Sequence, residues 1–198
     1  MKEILVDYIP FIVEPELIKE SLEKNNGRLI VSGPLQRADQ QNQNKRIYPG
    51  KILAREVQNY QKLISERRAL GELDHPESPV INLSNVSHNV LKTWWENDTV
   101  MGKVEILDTP AGNILKKLFE ANIRLGISSR GMGSVKEIGE GVVEVDEDFE
   151  LIGWDFVSNP STHGAFMNKM NESVVHNEDI ICRSKIECLI REIITGLN

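Results

Sequence analysis

Residues 3–13 form an apolar run with extended character. Pro15 then opens a stretch to Lys24 in which Leu17, Ile18, Ser21 and Leu22 fall on one side, the spacing of an amphipathic helix with proline in its first turn. Asn25-Asn26-Gly27 ends it. Arg28 to Gln36 reads as a strand whose second half Pro34 restricts to an edge or a bulge. A polar, amide-rich loop over 39–45 leads to Pro49, and Leu53, Val57, Tyr60 and Ile64 then recur at helical spacing up to Arg68. Ala69 to Leu73 is short and strand-like and runs into Asp74-His75-Pro76. Alternation over 84–95, around Val86, His88 and Val90, and over 100–107 predicts two strands that Asn97-Asp98 joins as a hairpin. Thr109-Pro110 supplies a hydroxyl N-cap and a first-turn proline for a helix carrying Ile114, Leu115, Leu118 and Ile123, ending near Leu125-Gly126. Short extended segments follow at 133–138, 141–145 and 149–157. Many short strands with a few interspersed helices predict an α+β fold built on a mainly antiparallel β-barrel or curled sheet. The organisation read from the chain is one domain over 1–165, a polar linker over 166–178, and a C-terminal amphipathic helix over 179–198 with Ile186, Leu189, Ile190, Ile193 and Leu197 on one face.

Composition narrows the function classes. A chain of 198 residues buries roughly 70% of the surface its unfolded form exposes and needs no staples. The formal net charge of −7 and the pI near 5.2 argue against nucleic acid as a partner, because phosphate binding needs a basic stripe. Cys182 and Cys188 match neither a zinc ribbon nor a CxxC pair, and they read as free thiols of a reducing compartment. Lys2, Glu3 and Asp7 interrupt the first apolar run, so no signal peptide is expected, and no stretch approaches the length of a membrane span. No membrane partner and no cofactor are expected.

Candidate chemistry centres on Gly126-Ile127-Ser128-Ser129-Arg130-Gly131-Met132-Gly133. Read as a glycine-bordered turn after a helix, it offers a nucleophile, taken as Ser128 with Ser129 as the alternate. The backbone N–H groups of Arg130 and Gly131 would face an oxyanion. A serine nucleophile needs a base and a group that orients the base. His75 stands at a strand end, held by Pro76, and histidine titrates near neutrality. His88, mid-strand, reads first as a core histidine and second as an alternate; His163 and His176 lie in polar stretches. Asp155, in Trp154-Asp155-Phe156-Val157, either faces solvent between two aromatics or is buried and paired, since a buried carboxylate needs a partner. Asp74, His75, His88 and Glu72 can also be read as metal ligands, but their spacing matches no metal motif, and no metal site is assigned.

Four blocks come in order: Asn44-Lys45-Arg46-Ile47-Tyr48-Pro49, Gly71-Glu72-Leu73-Asp74-His75-Pro76, Gly126-Ile127-Ser128-Ser129-Arg130-Gly131, and Asp155 ahead of Ser158-Asn159-Pro160-Ser161. Trp94-Trp95 and Ala121-Asn122-Ile123-Arg124 add to the series. Over residues 28–163 it resembles the prohead core protein proteases of T-even-like tailed phages. That resemblance implies a serine endopeptidase that works inside the immature capsid, within the host cytoplasm, on scaffold, other head proteins and itself. It implies a fold similar to the herpesvirus maturational protease, a β-barrel ringed by helices. It puts the nucleophile at Ser128, the base at His75 and the third member of the triad at Asp155. Oligomeric state is left open, with a homo-oligomer among the options. The resemblance also implies cutting after glutamate, with Leu or Ile two residues before it. Self-cleavage at Glu20 or Glu172 is expected to remove the N-terminal segment, within 1–25, the C-terminal helix or both, whereas a cut at Glu140, in an exposed hairpin, would inactivate the enzyme. The Leu118-Phe119-Glu120 stretch, in a helix, is expected to be protected. Arg46 and Arg130 are the candidate cations for a glutamate pocket. The contrasting reading is a non-catalytic internal head protein that co-assembles with scaffold through its C-terminal helix.

Overall fold

The apolar run at the N-terminus becomes β1 (Glu3–Phe11), and the Pro15 start becomes α1 (Pro15–Lys24). The strand after the Asn25-Asn26-Gly27 turn is β2 (Ile30–Arg37). A two-residue strand, β3 (Arg46–Ile47), precedes α2 (Gly50–Ser65), and β4 (Leu70–Glu72) follows it. The expected hairpin is β5 (Val86–Glu96) and β6 (Thr99–Ile106). In α3 (Pro110–Glu120) the Thr109 hydroxyl accepts from the Gly112 N–H, as a hydroxyl N-cap should. The chain then adds β7 (Leu125–Gly133), β8 (Val135–Gly139), β9 (Val142–Val145) and β10 (Glu150–Val157). This computed structural model describes residues 2–76 and 78–158. The expected linker and C-terminal helix lie outside the described residues, as do His163, His176, Cys182, Cys188 and Glu172. Among the described residues no helix is long and apolar enough to cross a membrane.

The fold is α+β and strand-rich, but the strands form no closed barrel. They make three hydrogen-bonded sheets with the orders β1-β7-β10, β2-β6-β5-β4 and β3-β9-β8. One physical reason for the open arrangement lies on the free edge of β2. The Ser21 hydroxyl of α1 donates to the Ile30 carbonyl at 2.7 Å and accepts from the Ile30 N–H at 2.8 Å. Pro34, further along the same strand, has no N–H to offer. At the other end of that sheet the strand pairing reaches β10 as an isolated bridge, Leu73 to Phe156, rather than a ladder.

The largest departure from the sequence reading is at the serine stretch. Helix α3 stops at Glu120 rather than near Gly126, and Asn122, at φ 56°, turns the chain. Leu125–Gly133 is a strand, not a turn. It is the central strand of its sheet, antiparallel to β1 on one side and to β10 on the other. Every residue from Leu125 to Gly131 is buried, so the polar–apolar alternation that announces a strand is absent.

Phe156 of β10 joins the layers of the core. Its ring meets Phe11 of β1, His88 of β5 and Phe119 of α3 edge-on, at centroid distances of 5.1, 4.8 and 5.4 Å. Trp154 stacks edge-on against Tyr60 of α2 at 4.8 Å. His88 is fully buried, with Nδ1 2.8 Å from the Ser87 hydroxyl and Nε2 2.9 Å from the Trp154 carbonyl. Its neighbour across the sheet must be glycine, because a Cβ on Gly71 would come within 2.2 Å of both His88 Nε2 and the Trp154 carbonyl oxygen. His88 is thus a structural tie between β5 and β10, which settles it as a core histidine.

Two outcomes are expected. Ser21→Ala leaves the half-buried Ile30 N–H and C=O at the edge of β2 without their partner and should destabilise the protein by about 1–3 kcal/mol, read from urea unfolding. Burial lowers the His88 pKa to about 4, against the carboxylate of Asp155 and the Trp154 carbonyl, which act the other way. The neutral ring is therefore the folded form. Its contribution is complete above the unfolded pKa near 6.5 and is lost as pH falls towards 4, because the unfolded chain then binds the extra proton. Wild-type protein should lose about 3 kcal/mol more than His88→Gln between those pH values in equilibrium unfolding.

Candidate active site

A strand places alternate residues on one face and puts cross-strand partners side by side. Ser128 of β7 stands directly opposite Tyr8 of β1 and Asp155 of β10. The row on that face is therefore Tyr8, Ser128 and Asp155. Two residues along β7, on the same face, comes Arg130. The loop after β4 brings His75 to this row. The alternative in which Asp155 faces solvent does not hold, because its side chain is fully buried.

His75 Nε2 lies 2.6 Å from the Ser128 Oγ. On the other side of the ring, Nδ1 lies 3.1 Å from Asp155 Oδ2, within ion-pair distance but off-line for a hydrogen bond; such contacts are often loose before substrate binds. Ser128 Oγ also donates to the Asp7 carbonyl at 2.8 Å. The Ser129 hydroxyl reaches the same carbonyl only at 3.5 Å, and Ser128 is the serine against the histidine.

Asp155 is held from several directions. Its Oδ1 accepts from the Glu72 N–H at 2.9 Å and from Arg130 Nη2 at 3.2 Å, and its Oδ2 stands 2.9 Å from Arg130 Nε. Arg130 Nη2 also donates to Glu72 Oε1 at 3.0 Å, and Nη1 donates to the Ser78 carbonyl at 2.7 Å. Glu72, Arg130 and Asp155 are all fully buried, so each charge depends on the others for compensation. Through Ser78 the guanidinium also fixes the loop that follows His75.

A second charged cluster braces the other side of Ser128. The Asp7 carboxylate accepts from Asn44 Nδ2 at 2.9 Å, from Arg46 Nη1 at 2.7 Å and from the Tyr48 hydroxyl. Asn44 and Arg46 also donate to the Val6 carbonyl, at 2.8 and 3.2 Å. Burial and the nearby Asp7 carboxylate raise the Tyr48 pKa well above its ordinary value, so the phenol keeps its proton. The Asn44-to-Tyr48 block thus acts on β1, the strand whose carbonyl touches Ser128.

Two expectations need correction. Arg130 and Gly131 do not form an open turn. They pair with Val6 and Leu5 of β1 and with Gly153 and Leu151 of β10, so both positions are flanked by sheet ladders. Arg46 and Arg130 are not free cations for a glutamate side chain, since Asp7 holds one and Glu72 with Asp155 holds the other. Neither lines the cleft at the serine, whose walls come from Val6, Tyr8, Asn44, Asp74 and Val157 around His75 and Ser128. Of the residues weighed as metal ligands, His75 is on Ser128, His88 on Ser87 and Trp154, and Glu72 on Arg130.

The segment 1–25, expected to be removable, carries β1 and so belongs to the site. The Glu20–Ser21 bond lies within α1, where Ser21 is buried. Glu140 is in the exposed β8–β9 turn, at φ 51° between two glycines of positive φ. Sequence reasoning missed Asp7 and Tyr48 altogether and weighed Glu72 only as a metal ligand. The period-two spacing of Ser128 and Arg130 was the available signal, hidden by reading the stretch as a turn.

Comparisons with known proteins give the family of the chain. A family model described as prohead core protein serine protease matches residues 3–176. The prohead core protein protease of Enterobacteria phage T4 is 33% identical over 159 residues, covering 74% of either chain. The solved structure of the bacteriophage T4 capsid assembly protease superposes with a TM-score of 0.70 at 25% identity, over 80% of this chain and 99% of that one. The match spans the strand that carries the serine, the loop that carries the histidine and the strand that carries the aspartate, and this chain belongs to the prohead core protein serine protease family.

Proposed function

We propose that the chain is a serine endopeptidase using Ser128 as nucleophile, His75 as general base and Asp155 as the group that orients the base. The observation that carries this reading is His75, with one ring nitrogen 2.6 Å from Ser128 Oγ and the other 3.1 Å from Asp155 Oδ2. With the ring proton on Nδ1, towards Asp155, Nε2 is free to accept from the hydroxyl. The Ser128 proton turns from the Asp7 carbonyl to Nε2 as the oxygen attacks a peptide carbonyl. His75 then hands that proton to the leaving amine, and water repeats the sequence on the acyl-enzyme. Asp155 stabilises the imidazolium formed midway, and Arg130 keeps that carboxylate aimed.

Substrates are the scaffold and capsid proteins of the prohead, cut inside the assembling particle and within the host cell. Cutting after glutamate and self-cleavage follow from the family resemblance, and the exposed Glu140 turn is the most accessible of the described glutamate stretches. The herpesvirus-like relationship is likewise carried by the resemblance alone. A non-catalytic role in the head is the alternative that the tests separate.

Ser128→Ala should abolish cleavage of the scaffold protein while leaving the unfolding midpoint near wild type; normal processing by that variant would overturn the assignment. A serine-directed covalent inhibitor should label Ser128, and folded protein that takes no label would point to the structural role. Asp155→Asn should lower kcat by about 10²–10⁴, the upper figure being the value known for the equivalent change in chymotrypsin-like enzymes. Mass spectrometry after co-expression with scaffold gives the cleavage positions directly.

A further inference from the structure

We infer that Glu72 is a positioning residue for the reaction, setting the charge balance behind His75 so that Arg130 can aim Asp155 without cancelling it. This rests on the proposed triad and goes beyond it, because Glu72 touches neither Ser128 nor His75.

The reasoning begins with Arg130. A guanidinium 2.9 Å from Asp155 Oδ2 fixes that carboxylate, but by itself it would neutralise the charge that must support an imidazolium. A fully buried arginine and aspartate would form a closed pair with nothing left for histidine. Glu72 changes that balance. Its Oε1 takes Arg130 Nη2 at 3.0 Å, while His75 Nδ1 faces Asp155 Oδ2. Two buried carboxylates then share one guanidinium. The cluster carries one negative charge in excess, and His75 Nδ1 is the group that faces it.

Further contacts support a designed position for Glu72 rather than a stray charge. Its own N–H donates to Asp155 Oδ1 at 2.9 Å, and its Oε1 also accepts from the Asn82 N–H at 3.0 Å. One residue thus orients the triad carboxylate through its backbone and the arginine through its side chain. Glu72 Oε2 is buried without a hydrogen-bond partner. The side chain is therefore held through Oε1 alone. An amide with its carbonyl at Oε1 would keep both existing bonds, which makes glutamine a close replacement.

The other groups around His75 do not supply this charge. Asp74, beside it in the chain, lines the cleft on the solvent side. From β1, Tyr8 keeps its proton because burial raises its pKa, and Asp7 presents a backbone carbonyl while its carboxylate is taken by Arg46, Asn44 and Tyr48. From β5, His88 is neutral near pH 7. Asp155 from β10 and Arg130 from β7 complete the set, and only Glu72 tips the buried side negative.

The test is the pH dependence of scaffold cleavage by the full chain, whose kcat/KM acid limb reports the free enzyme's base. Glu72→Gln removes the excess charge, so the imidazolium loses support. The acid limb should move to lower pH by about one unit, and kcat should fall about tenfold, the same loss in the transition state. Glu72→Asp keeps the charge, and its limb should stay at the wild-type position even if its melting temperature drops. Folded Glu72→Gln with an unmoved limb overturns the inference, whatever its rate. Should Glu72→Gln not fold, Glu72→Asp still decides, since a limb displaced in that variant also overturns it. Ser128→Ala is assayed alongside: activity in that variant sinks the triad itself, whereas inert Ser128→Ala with an unmoved Glu72→Gln limb sinks only the role of Glu72.

Discussion

A guanidinium buried in the middle of a sheet is the constraint on which the site depends. Arg130 is fully enclosed and cannot lose its proton, so the fold must bring carboxylates to it or not form. The two it receives arrive from opposite directions in the chain, Glu72 from β4 and Asp155 from β10. Removing one partner of such a group costs about 3–5 kcal/mol, because the other charge is left uncompensated. The cluster therefore ties the position of Asp155 to the stability of the whole molecule. It also reaches the loop after His75 through the Ser78 carbonyl, so one side chain braces both that loop and Asp155.

Placing the serine on a central strand has consequences for both its neighbours. With β1 on one side and β10 on the other, Ser128 has no backbone freedom, and its hydroxyl is fixed between the Asp7 carbonyl and the His75 ring. The N-terminal strand then supplies Val6 and Tyr8 to the wall of the cleft at Ser128. Close packing enforces the placement: a Cβ on Gly126 would sit 1.5 Å from the Tyr8 ring, and one on Gly131 would sit 2.4 Å from the Phe149 ring. The glycines that suggested a turn are there because aromatic rings cover the strand on both sides of the serine.

Local elements were largely legible from the chain. Pro15, Thr109-Pro110, the α2 periodicity and the Asn97-Asp98 hairpin each rest on short-range rules that a few neighbouring residues satisfy. The β7 strand was not legible, because a strand buried on both faces shows no alternation and its glycines and serines mimic loop composition. A closed barrel was not decidable either. Whether β2 pairs onward depends on a hydroxyl from α1 and on Pro34, and nothing local to the strands announces the first of these.

Residue types and order determined the family: a serine, a histidine held by proline, and an aspartate in an aromatic run come in blocks that resemble one protease family. Those identities do not depend on packing. What each charged group does was decided only by tertiary structure. Arg46 and Arg130 are equally good substrate cations on paper, since a guanidinium in sequence carries no record of its partner. Folding brings Asp7 to the first across 39 positions, and Glu72 to the second across 58 positions and Asp155 across 25. Burial then makes those pairings obligatory, because an ion removed from water must find its counter-ion within the protein.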